Sequence, residues 1–164
     1  MKFTDKLNQM AACSEAAKWV GKRGLKTAWR DCPRGDWMLW YAGKIGIDQK
    51  LLVLAACDCA ETALKYVPEG EDRPAKAIQT SRNWCNGTAT KQECRDAAAN
   101  ASVYAADAAY AAYAAAYAAY DAATAYAAAD AAADAAAAAD ARTKAHKTCA
   151  NLVRARIPYE LINH

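Results

Sequence analysis

The chain has 164 residues, 55% of them hydrophobic and 24% charged, and a formal net charge of +3. That length suits one domain with its own core, and so mild a charge argues against a surface built to neutralise nucleic-acid phosphates. An alanine-rich tract from Ala97 to Ala141 carries an Asp or Tyr every few residues and is too weakly hydrophobic for a membrane span.

In chain order, Met1-Lys2-Phe3-Thr4-Asp5-Lys6 lacks the apolar stretch of a secretory signal. Ser14 is placed to cap a short helix carrying Ala17, Trp19 and Val20, which Gly21 and Gly24 close. Leu25 to Cys32 reads as a second short helix before Pro33, and Asp36 as the cap of a third over Trp37 to Ala42, punctuated by Gly43 and Gly46. Asp48 opens a helix that is apolar nearly all round from Leu51 to Ala60, so it is expected at the centre of the bundle, running to Tyr66 before Pro68. Beyond the polar turn Pro68 to Pro74, with Asp72 as cap and Pro74 in the first turn, a helix carries Ala77, Ile78, Arg82 and Trp84 and ends at Gly87. Thr90 and Glu93 form a T-x-x-E capping box that opens the next helix.

From there to the residue before Pro158 no Gly or Pro interrupts the chain, and about two residues in three between Ala97 and Ala141 are alanine. Alanine is the strongest helix former, because its side chain has almost no entropy to lose. A single helix over this stretch would extend roughly 100 Å at 1.5 Å per residue, too far for a compact domain. A break near Tyr120 to Thr124 is therefore expected, giving a hairpin. Tyr110, Tyr113, Tyr117 and Tyr120, spaced 3-4-3, would form its seam. The tract holds Asp107, Asp121, Asp130, Asp134 and Asp140, whereas Arg142, Lys144, Lys147, Arg154 and Arg156 come after it and are expected on a solvated face near a helix C-terminus.

Groupings that carry chemistry are scarce. Seven cysteines without a C-x-x-C, and only two histidines, suggest neither a zinc site nor a disulfide framework; free thiols point to a reducing cytoplasm. His146 stands among Arg142, Lys144 and Lys147 without the partners of a triad and is expected at the surface. Asp130 and Asp134 share one helix face, but no E-x-x-H motif accompanies them. No catalytic, metal or cofactor site is expected. Arg and Trp dominate binding hot spots, so the candidate binding residues are Arg34, Asp36, Trp37 and Trp40 in one segment and Asp72, Arg73 and Trp84 in another. Tyr104 and Tyr126, which fall off the tyrosine seam, join them. A structural reading competes with this one, in which Arg73 pairs with a carboxylate and the tryptophans fill the core.

The run Asp72-Arg73-Pro74 to Ala77-Ile78, the Trp84-to-Gly87 terminator, the Arg34-Gly35-Asp36-Trp37-x-Leu39-Trp40 stretch and the closing Val153-Arg154-x-x-Ile157-Pro158 resemble immunity proteins of bacterial polymorphic toxin systems and their phage-borne relatives. The resemblance runs from about Cys13 to Pro158 and implies an all-helical cytoplasmic protein that neutralises a toxin by binding. It supplies no catalytic residues. The expectation is an all-α, compact multi-helix bundle forming one domain over 1–164, with short helices in 1–87 and a long Ala/Tyr-rich hairpin in 88–164. Its role would be non-enzymatic sequestration of a cognate toxin or defence protein. The alternative is a phage anti-defence protein that holds a small anionic nucleotide signal between Arg and Trp or Tyr side chains. No membrane or nucleic-acid partner is expected, and smooth alanine-faced helices favour a homodimer.

Overall fold

The computed structural model describes residues 2–67, 69–102 and 139–163, and among them every regular element is helical. They are α1 (Phe3–Gln9), α2 (Ser14–Val20), α3 (Leu25–Asp31), α4 (Gly35–Lys44), α5 (Gln49–Glu61), a 3-10 turn at Leu64–Tyr66, α6 (Arg73–Asn86), α7 (Lys91–Ser102), α8 (Ala139–Arg156) and α9 (Tyr159–Ile162). The all-α expectation holds. The expected hairpin break and the seam of Tyr110, Tyr113, Tyr117 and Tyr120 lie outside the described residues, as do Tyr104 and Tyr126.

The most apolar segment is the central helix. Leu52, Val53, Ala55, Ala56, Cys57, Cys59 and Ala60 of α5 are fully buried, because α4, α6 and α8 all pack on it. Its start is fixed by Asp48, whose carboxylate accepts from the backbone N–H of Lys50 (3.0 Å) and Leu51 (3.2 Å), two donors that the first helical turn leaves without partners. Its end comes earlier than Tyr66: α5 stops at Glu61 and the chain continues into the 3-10 turn, where Thr62 Oγ1 turns back to the Cys59 carbonyl (2.7 Å). One carboxylate ties this helix to both neighbours. Asp58 accepts from Arg82 of α6 (2.9 Å) and from Nε and Nη2 of Arg156 of α8 (3.0 and 2.7 Å).

α6 and α7 form a helical pair joined by a short turn. Gly87 takes the left-handed conformation (φ 80°) that ends α6, and the Thr90–Glu93 box starts α7: Glu93 accepts from the Thr90 N–H (2.6 Å) and Thr90 Oγ1 accepts from the Glu93 N–H (3.2 Å). Ala77, Ala98 and Ala101 make a small separate core between them, so the helices meet through methyl groups. Asp72 does sit at the N-cap of α6, but its side chain makes no capping bond there and pairs with Lys76 instead (2.7 Å).

Three expectations are corrected, at the starts of α4 and α2 and at the end of α8. α4 begins at Gly35 with Arg34 as N-cap, so Asp36 lies inside the first turn and is not the cap. Gly35 is there because nothing larger fits: a Cβ would meet Cys149 at 2.8 Å and the Ala150 nitrogen at 2.9 Å, on α8. Arg154 and Arg156 are not on a solvated face. Arg154 Nη1 reaches the carbonyls of Trp29 (3.1 Å) and Cys32 (2.9 Å), satisfying the C-terminal end of α3, and burial pulls its pKa down. Finally, α2 begins at Ser14 itself with Cys13 at the N-cap, so Ser14 is not the cap.

Candidate binding cavity

The first four helices line a half-open cavity of about 360 Å³, within the size range of small-molecule pockets. Helical spacing builds its walls. α2 contributes Ala16, Trp19 and Val20, α3 contributes Leu25, Ala28 and Trp29 with its C-cap Cys32, and α4 contributes Trp37, Trp40 and Tyr41, each set at i, i+3, i+4 and so on one helix face. Phe3 and Leu7 of α1 close the remaining side, with the Phe3 ring edge-on to Tyr41 (centroids 5.3 Å, 89°). The rings of Trp19 and Trp37 touch in a tilted arrangement, centroids 6.1 Å apart and planes inclined at 53°.

Basic side chains lie on these rings. Arg23 sits 4.7 Å from the Trp19 centroid, Arg34 4.9 Å from Trp37, Lys6 5.8 Å from Tyr41 and Lys44 5.9 Å from Trp40. Of these basic groups Arg34 lines the cavity itself, together with two carboxylates, Glu15 and Asp36. Asp36 is only 5% exposed, and a charge so buried requires partners. Arg34 grips it with both arms of the guanidinium (Nε to Oδ1 2.8 Å, Nη2 to Oδ2 2.5 Å), and the positive end of α4 adds to the attraction. On its far side stands His146, with Nδ1 3.8 Å from Asp36 Oδ1.

His146 is thus buried, 6% exposed, and not the surface residue its basic neighbours suggest. The close approach at Gly35 explains it. Cys149 and Ala150 of α8 abut Gly35, and His146, three and four residues earlier, lies on the same face of α8 and so next to Asp36. Two more polar atoms are buried on wall residues. Trp29 Nε1 and Tyr41 Oη have no hydrogen-bond partner among the described residues. The Cys32 thiol donates to the Arg34 carbonyl (3.3 Å), and burial pushes its pKa up to about 11, so this wall cysteine is no nucleophile.

The structure therefore brings together Arg34, Asp36, Trp37 and Trp40 and separates them from the other candidates. Asp72, Arg73 and Trp84 belong to α6 and its N-cap and do not line this cavity. Arg73 pairs with Glu71, its Nε donating to Oε1 at 2.6 Å, as the structural reading of that segment anticipated. It lines a second, polar groove between α6 and α7, with Lys76, Thr80, Asn83, Glu93 and Asp96. Trp84 is half-buried against the main core with Lys91 Nζ 5.8 Å from its ring. Sequence reasoning missed Trp19, Trp29 and Tyr41 as cavity walls, although their spacing to Val20, Cys32 and Trp37 carried the signal. For His146 no local signal existed.

Among the described residues, the helical bundle thus carries an aromatic cavity along its first four helices and a polar groove between α6 and α7. Residues 46–157 match the family model described as Imm-5 like putative immunity protein, and the chain belongs to that family. The match spans α5 to α8 and leaves the four helices around the cavity outside it. No curated protein and no solved structure matches the chain.

Proposed function

We propose that the protein neutralises a cognate toxin in the cytoplasm by forming a stoichiometric complex, without turnover, and that the α6–α7 face is the contact surface. The family match carries the reading, because it lies over this helix pair and not over the cavity. The groove offers what a polar interface uses: a guanidinium, an ammonium, two carboxylates and side-chain amides and hydroxyls within one concave strip. The test is co-expression with the toxin encoded beside the gene. Growth should be restored and a one-to-one complex recovered, and Lys76→Glu with Asn83→Ala should weaken it at least tenfold while leaving the melting temperature unchanged. A toxin left fully active would overturn the function, and full rescue by the double variant would overturn the contact face.

Sequestration of a nucleotide signal would instead draw on Arg34 beside Trp37. Both carboxylate oxygens of Asp36 already occupy that guanidinium, which leaves little charge for a phosphate and favours the toxin reading. Calorimetry against a panel of nucleotides should accordingly give a flat response.

A further inference from the structure

The groove between α6 and α7 has two walls of different character. On α6 it is lined by Arg73, Lys76, Thr80 and Asn83, and on α7 by Glu93, Asp96, Ala97 and Asn100. Both sets follow the three- and four-residue steps that set side chains in one row along a helix. The two helices run antiparallel, since Gly87 turns the chain back between them and Ala77, early in α6, packs with Ala98 and Ala101, late in α7. We propose that this groove receives one helix of the toxin, about three turns long, which presents two cations a turn apart to Glu93 and Asp96 and a carboxylate to Lys76. The proposal rests on the α6–α7 reading of the contact surface and names the chemistry on its other side.

The rows decide the shape of the partner. From Arg73 to Asn83 the α6 row runs roughly 15 Å at 1.5 Å per residue, the length of about three helical turns. A facing helix repeats its side chains about every 5.4 Å, in step with both rows, whereas one face of an extended strand repeats about every 6.8 Å and falls out of step. Thr80 and Ala97, short and half-buried, let a third backbone come close. Charge decides its sequence. Arg73 is balanced by Glu71, and Lys76 pairs with Asp72, but the second pair is exposed (71% and 63%), so the ammonium changes partner at little cost. On the other wall, both bonds that Glu93 accepts from Thr90 use Oε2, and the bond that Asp96 accepts from Gln92 uses Oδ1. Each carboxylate thus keeps one oxygen without a hydrogen bond among the described residues. Opposite charges on the two flanks of a docked helix complete this pattern, as flanking charges choose partner and direction in coiled coils.

The test uses the full-length protein and the toxin encoded beside its gene. Glu93→Gln with Asp96→Asn removes both charges yet keeps the acceptors for Thr90 and Gln92, so the helix start is preserved. This double variant should bind the toxin at least tenfold more weakly at about 50 mM salt, and the difference should shrink severalfold at about 500 mM, where the attraction is screened. Lys76→Gln, away from that helix start, should weaken binding roughly threefold and carries the test if α7 is loosened in the double variant. Hydrogen exchange in the bound toxin should slow over one helical segment, and replacing the basic residues of that segment by Glu should restore binding to Glu93→Lys with Asp96→Lys. A toxin that the parent neutralises and that none of these changes loosens would overturn the helix proposal and leave the function standing. Protection confined to a strand or loop of the toxin would do the same. A toxin that the parent does not bind would overturn the function, and the proposal with it.

Discussion

At the scale of single residues, the charged side chains divide by what surrounds them. Arg30 and Asp31 form a geometrically good pair (2.6 Å), but both are exposed, so solvent screens the attraction. Asp58 is different. It is largely buried among three helices and accepts from Arg82 and Arg156, so removing its charge would take the carboxylate from Arg156 and leave Arg82 with Glu61 alone. Asp58→Asn keeps the shape and deletes the charge. It should cost roughly 2 kcal/mol, between the value for an exposed pair and that for a fully buried one, measured as a fall in urea midpoint at constant slope. Asp31→Asn should leave the midpoint where it is. None of this contrast is visible in composition, because Asp58 and Arg156 are 98 residues apart. Local pairs such as Thr90 with Glu93 are legible for the opposite reason: backbone geometry alone brings them together.

At the scale of elements, capping chemistry and alternation of apolar residues made most helices legible. Asp48, Gly87 and the Thr90–Glu93 box end or begin helices where their side-chain and backbone preferences require. The candidate site was half legible on the same terms. Arg34, Asp36, Trp37 and Trp40 fall within two turns of one chain segment, so a single helix collects them. Trp19, Trp29 and His146 reach the same place only through packing of α2, α3 and α8, which no local pattern encodes. The contact that decides this packing is Gly35 against Cys149 and Ala150, where a methyl group would approach backbone and Cβ atoms at 2.8–2.9 Å. Backbone cannot yield as a flexible side chain can. Gly35→Ala should therefore push α4 from α8 and cost about 1–3 kcal/mol, despite alanine's better helix propensity. Thermal unfolding would read the loss, and a shifted His146 ring resonance would show that the two helices had parted. A more stable variant would mean that the approach is looser than this.

At the scale of the molecule, the cysteines reveal how the core is made. Of the seven, Cys13 alone is exposed; the other six are free thiols inside the protein. Four of these donate weakly to carbonyls of neighbouring helices: Cys57 to Ile78 (3.8 Å), Cys59 to Cys149 (3.8 Å), Cys85 to Lys50 (3.6 Å) and Cys94 to Thr80 (3.7 Å). They act as small hydrophobic side chains that let α5, α6, α7 and α8 approach closely, and no disulfide is involved. Such a core resists deprotonation. Burial pushes Cys57 up to about 12 and Cys32 and Cys85 up to about 11, against an ordinary value of 9.0. Below pH 9 both folded and unfolded chains keep these protons, and the thiols contribute no pH dependence. Above it the unfolded chain releases them while the folded chain holds them until pH 11 to 12, so the unfolded state gains. Stability should fall across that window, by about 1.4 kcal/mol per pH unit for each fully buried thiol. Cys57→Ala removes one such proton at the cost of a small cavity. It should lower stability at pH 7 yet make the alkaline decline shallower, so the curves of variant and parent converge as pH rises. Parallel curves in urea unfolding from about pH 8 to 11 would mean that lysine and tyrosine titration governs the alkaline limit instead.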